Sequence, residues 1–148
     1  MSDTKITQTG KRSLVDLAER LRAIDTSMLV TKTGSKGAIA ARPMSNNGDV
    51  SEEDGATYHF ATDDGRLDDD LGTSKQCGAT YNEGEFYCAV QGTASLIHDR
   101  AIMEDHWVEA LEKWFDDGLD TSGLVLIEVC PERITWWEGR ETGELVLE

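Results

Sequence analysis

The sequence predicts a mainly β domain with flanking helices, an α+β chain whose antiparallel sheet curls into a small closed barrel. Three observations carry this. Short β-branched or aromatic runs recur along the chain, and glycine-bearing turns of hairpin length join most of them. Helical stripes lie between these runs in an order that suits hairpins with helices outside them.

Residues 1–12 carry no periodic pattern and read as a loose arm, leaving 13–148 as a single domain. Leu14, Leu17, Leu21 and Ile24 then recur at helical spacing. Ser13 stands as N-cap, with Asp16 three residues on to close a capping box. "SMLVTK" (27–32) and "AIAARPM" (38–44) form a hairpin around "TGSKG" (33–37), and a polar loop leads to "TYHFAT" (57–62). Leu67 and Leu71, four apart within "DDGRLDDDLGTSKQ" (63–76), predict a short helix.

"CGATYN" (77–82) and "EFYCAVQGTASLIH" (85–98) make a second hairpin, bent at Gly92. Asp99 caps a helix expected over 100–115, striped by Met103, Trp107, Ala110, Leu111 and Trp114. "GLVLIEVC" (123–130) reads as a strand stopped by Pro131, and "RITWWEG" (133–139) as the last one.

Composition narrows the function. Twenty-nine acids against 14 bases give a formal net charge of -15, which excludes neutralising a phosphate backbone or an anionic membrane surface. The first residues lack an apolar signal block and no apolar run reaches spanning length, so a cytoplasmic location is expected. Cys77, Cys88 and Cys130 are odd in number and form no CxxC pair, so they read as small buried side chains.

Familiar catalytic motifs are missing: no GxGxxG after a strand, no GxxxxGK[ST], no GxSxG and no HExxH. His59, His98 and His106 have no ligand-like spacing, and the acid runs lack the oxygen spacing of a calcium loop, so no metal is expected. What remains is a set of polar groups at neighbouring strand ends. Arg42 and Ser45 close one strand, Thr62 and Asp63 the next, and Arg66 opens the short helix. A guanidinium fork, a hydroxyl and free helix N–H groups could together hold a phosphate. The competing reading pairs Arg42 with one of its many acidic neighbours.

"MLVTKTGSKGAIAARPMS", "YHFATDDGR", "AVQGTASLIHDRAIMEDHW" and "WF" followed by "GLVLIEVCPERITWWEG" together resemble the general-stress-protein branch of the pyridoxamine 5′-phosphate oxidase-like family. The resemblance spans residues 14–139. It implies a split β-barrel, a homodimer and a flavin at the dimer interface; members of this branch bind FMN, and some also FAD. Carried over by position, Arg42, Pro43, Met44 and Ser45 match the strand along the flavin phosphate and ribityl chain. Ala61 and Thr62 match a strand end at the ring or phosphate, and Trp136 or Trp137 match positions beside the cofactor or the dimer seam.

Two departures shape the expected function. The family's lysine-bearing segment after "TD" is about one residue shorter here. Arg66 is its nearest equivalent, and the field of Asp68 to Asp70 opposes a phosphate. The arginine-bearing C-terminal segment of the true oxidases has only Arg140 as a counterpart. The resemblance thus implies a flavin-dependent oxidoreductase of unassigned substrate, not oxidation of pyridoxamine phosphate. Its rivals are a binding or sensing module without catalysis, and a dimeric scaffold that has lost flavin.

An Asp-rich surface suits a salty environment, because added salt screens its self-repulsion. The denaturation midpoint should therefore rise between about 0.1 and 1 M NaCl, where the Debye length shrinks from about 10 to 3 Å. A midpoint that falls over that range would remove the idea.

Overall fold

A computed structural model describes residues 5–34 and 37–148, so the middle of the expected "TGSKG" turn lies outside the described residues. Eight strands are described: β1 Ile6–Thr9, β2 Thr26–Thr33, β3 Ala38–Ser45, β4 Thr57–Thr62, β5 Gln76–Glu83, β6 Phe86–Ile97, β7 Leu124–Glu138 and β8 Glu141–Leu147. Helices α1 Leu14–Arg22, α2 Arg66–Thr73 and α3 Arg100–His106 lie between them. The strands run in the order β1-β8-β7-β6-β5-β2-β3, with β4 paired to β7, and every pairing is antiparallel.

The sheet is mainly antiparallel, as expected, but the closed barrel is not. No ladder joins β3 to β4 among the described residues, so the sheet stays open along that seam. The reason lies in β7. Its first half, Leu124–Val129, pairs with β4, and its second half, Arg133–Glu138, pairs with β8. Pro131 stands at the handover, beside the register shift at Gln91/Gly92 of β6. A proline lacks the N–H that a continuous ladder needs and is tolerated at such a bulge. Pro131 therefore does not end the strand as expected; it marks where one 15-residue strand changes partners. Gly92 permits the close approach: a Cβ there would lie 2.0 Å from the Cys130 carbonyl oxygen.

Other expectations shift for similar reasons. Part of the supposedly loose arm is ordered, because Ile6–Thr9 adds β1 to the edge of β8. That strand β8 was not anticipated, since "ETGELVL" carries charged and glycine residues among its apolar ones. Its Gly143 lies under Trp136, where a Cβ would come within 2.6 Å of the indole nitrogen. The helix expected over 100–115 stops at His106, and a 3-10 turn, Glu109–Lys113, follows. Tertiary contacts override the helical stripe there. Asn47 Nδ2 donates to the His106 carbonyl at 3.1 Å, and the His106 ring stacks on Tyr58 with centroids 4.1 Å apart.

Helix α1 starts as predicted, with both halves of the Ser13–Asp16 capping box formed. Its Leu14, Leu17 and Leu21 bury against the sheet beside Leu29, Val90, Ile134 and Trp136. The three cysteines are unpaired, with Cys77 and Cys88 buried. No described helix is long and apolar enough to cross a membrane.

His59 of β4 points into the interior. It is 3% exposed, with Nε2 2.9 Å from the Thr57 hydroxyl, and burial pushes its pKa down to about 4. The fold thus holds it neutral, whereas the unfolded chain takes up a proton below about pH 6.5. That contribution is complete above pH 6.5 and is lost as pH falls towards 4. The full swing is about 3 kcal/mol. Urea unfolding at pH 7 and 4.5 should show this loss in the native protein and a shallower one in His59→Gln. Equal slopes in the two proteins would contradict it.

Candidate functional site

The open seam between β3 and β4 is where the expected site residues gather. β3 is an edge strand, which is also why Pro43 is tolerated within it. Side chains alternate across β3, so Arg42 and Met44 share one face while Pro43 and Ser45 take the other. Arg42, Met44, Ala61, Thr62 and Arg66 line a single cavity of about 620 Å³. That lies within the range of about 300–1,000 Å³ common for small-molecule sites.

An adjoining groove of about 410 Å³ shares Arg42, Met44, Ala61 and Thr62 with this cavity and adds Pro43 and Ser45. Its far wall is aromatic: Phe60, Trp114 and Phe115. Pro43 also faces a third groove with Trp137, Met28 and Tyr87, on the opposite face of the sheet.

Trp136 falls elsewhere, and Arg66 reaches the cavity only at its rim. Trp136 is fully buried, packed among the residues beneath β8, and lines none of these three cavities. Strand alternation explains this: neighbouring Trp136 and Trp137 must point to opposite faces, and only Trp137 reaches the surface. Arg66 lies at the cavity rim, but its side chain is 88% exposed and forked onto Asp64.

The start of α2 also departs from expectation, because its N–H groups are not free. Asp63 accepts from the N–H groups of Gly65, Leu67 and Asp68, and Asp64 accepts from that of Arg66. The two aspartates of "DDGR" therefore cap the helix themselves, a role for which Asp is well suited. An anion has no open donor there.

Arg42 is the group left with capacity. Its Nη2 meets Asp70 Oδ2 at 3.4 Å, loose beside the roughly 2.8 Å of a good charge-assisted bond. Its Nη1 is buried and has no partner among the described residues. An unsatisfied buried donor costs about 1–3 kcal/mol. A phosphate accepting from both Nη atoms would remove that cost, so a phosphate fits at Arg42 though not at the helix start.

Sequence reasoning named the acids Asp68 to Asp70 but missed how they divide. Leu67 and Leu71 bury into the core, and Asp70, three residues after Leu67, is carried on the same side of α2 to Arg42. Asp69 lines the cavity beside it, while Asp68 does not. The same helical spacing that predicted α2 could have singled out Asp70. The helical pattern over 100–115 places Trp114 on an apolar stripe, which hides the aromatic wall, whereas the side chain is 56% exposed.

Comparisons with known proteins agree with this architecture. The family described as pyridoxamine 5′-phosphate oxidase like matches residues 13–147. General stress protein 26 of Bacillus subtilis is 34% identical over 65 residues, covering 44% of this chain and 46% of that protein. Protein bli-3 of Neurospora crassa is 27% identical over 105 residues, covering 69% of this chain and 49% of that one. The chain thus spans about half the length of the curated relatives it matches.

Among solved structures, a protein related to general stress protein 26 from Clostridium acetobutylicum superposes with a TM-score of 0.73 at 16% identity. That match covers 91% of this chain and 92% of the other. A general stress FMN/FAD binding protein from Xanthomonas citri gives a TM-score of 0.68 at 19% identity, covering 84% and 87%. These likenesses show the fold, and the match over residues 13–147 makes the chain a member of the pyridoxamine 5′-phosphate oxidase-like family.

Proposed function

We propose that the protein binds a flavin, FMN with FAD as the second choice, in the seam between β3 and β4, with Arg42 on the phosphate. The observation that carries this reading is the buried, unpartnered Nη1 of Arg42 at the wall of a ligand-sized cavity. Thr62 offers a hydroxyl on the same wall, and Met44 and Ala61 supply apolar surface beside it. The Xanthomonas citri neighbour, a general stress FMN/FAD binding protein, supports the choice of ligand.

A homodimer is part of the proposal. Met28, Tyr87 and Trp137 are 39%, 52% and 44% exposed around the Pro43 groove, an apolar patch suited to a second copy. The unpaired cysteines suit a reducing compartment and hence the cytoplasm.

A bound flavin would supply redox chemistry at its ring system, and the chain would orient and shield it. Of the carboxylates lining the cavity, Asp63 is taken up by N–H groups at the start of α2, and Asp64 and Asp70 by Arg66 and Arg42, which leaves Asp69 as the candidate base there. A binding or sensing role is the second reading. Rapid bleaching of bound flavin by NAD(P)H with reoxidation in air would favour an oxidoreductase, and inertness to both would favour the binder.

The visible spectrum of the purified protein, before and after FMN is added, tests the proposal. A protein that gains no bound flavin at either low or molar salt would overturn it and leave the dimeric scaffold. Replacing Arg42 by Ala should weaken FMN binding by about 1.5–3 kcal/mol, roughly 10- to 150-fold, read by quenching of flavin fluorescence. Unchanged affinity in Arg42→Ala would return this residue to an ion pair with Asp70.

A further inference from the structure

The wall around Arg42 has the wrong sign for the ligand that Arg42 would hold. Among the described residues, Asp63, Asp64, Asp69 and Asp70 line the cavity and Arg42 and Arg66 oppose them. Arg66 is mostly in solvent and neutralises Asp64. Asp70, with a side chain 14% exposed, already rests on Arg42. An approaching phosphate therefore meets repulsion at long range and attraction only on reaching Arg42. It must also take the place of a carboxylate.

Resting on the flavin reading above, we propose that Asp70 is a built-in competitor for the phosphate and that flavin loading at this site rises with salt. Ordinary cationic phosphate sites behave in the opposite way, because salt weakens their attraction. Here the two parts of the field respond unequally. The Debye length falls from about 10 Å at 0.1 M salt to about 3 Å at 1 M, which removes the acidic repulsion beyond the first contacts. An Arg42–phosphate contact would be short and, with the Arg42 side chain 25% exposed, partly buried, so salt would screen it much less. The loose 3.4 Å separation between Arg42 and Asp70 leaves that carboxylate displaceable.

The test is direct binding of FMN, with riboflavin as the ligand that lacks the phosphate. Fluorescence quenching would be followed from 0.1 to 2 M KCl, with circular dichroism checking the fold at each point. FMN affinity should rise about fivefold or more over this range, while riboflavin affinity changes less than about twofold. Asp70→Asn should bind FMN about tenfold tighter at 0.1 M KCl and lose most of the salt dependence.

If Asp70→Asn fails to fold, Asp69→Asn, exposed on the same wall, should shift FMN binding in the same direction by a smaller factor. FMN affinity that falls with salt overturns the inference while leaving the flavin reading intact. FMN and riboflavin rising together also overturns it, since salt would then act on the ring system and not on the phosphate. Failure of both ligands to bind at any salt would instead remove the flavin reading, and this inference with it.

Discussion

The sheet's failure to close between β3 and β4 is the constraint on which the rest depends. Closure would have satisfied the edge of β3 with backbone partners and left no cavity. The opening is set far from it, at Pro131 and Gly92, where β7 hands over from β4 to β8. Because β4 hangs from the first half of β7 alone, it stands beside β3 without pairing to it. Ala61 and Thr62 thereby face Arg42 and Met44 across the space that a ladder would have filled.

Helix α2 lines the cavity at this seam and sets its electrostatics. Leu67 and Leu71 fasten it to the core, which fixes the side from which Asp70 projects. Asp63 and Asp64 satisfy its N-terminal donors internally, so the helix is stable without any anion. The consequence is a site in which a single guanidinium has spare hydrogen-bonding capacity and the neighbouring charges are negative. In the proposed flavin site, affinity for the phosphate would depend on Arg42 being more rewarding than Asp70 is obstructive, and ionic strength would shift that balance.

Much of this was legible in the sequence. The Ser13–Asp16 capping box, the β2–β3 and β5–β6 hairpins, and the short α2 all follow from local patterns whose causes lie within a few residues. Arg42, Met44, Ala61 and Thr62 were named as site residues, and the structure brings them to one cavity. The misses share a cause, which is dependence on distant contacts. Pro131 looks like a strand end until Gly92 is seen opposite it. His106 ends its helix because Asn47 binds its carbonyl. Trp136 and Trp137 are identical in type and adjacent, and only the register of β7 decides which one is buried. The occupied helix start was in principle readable, since "DDGR" offers two carboxylates within reach of the first N–H groups.

The most direct measurement is a crystal structure of the protein with FMN, grown in molar salt. The flavin should lie in the β3–β4 seam, with phosphate oxygens about 2.7–2.9 Å from the Arg42 guanidinium and the Asp70 carboxylate turned away from it. A flavin phosphate bound elsewhere, with the Arg42–Asp70 pair still in place, would contradict the account.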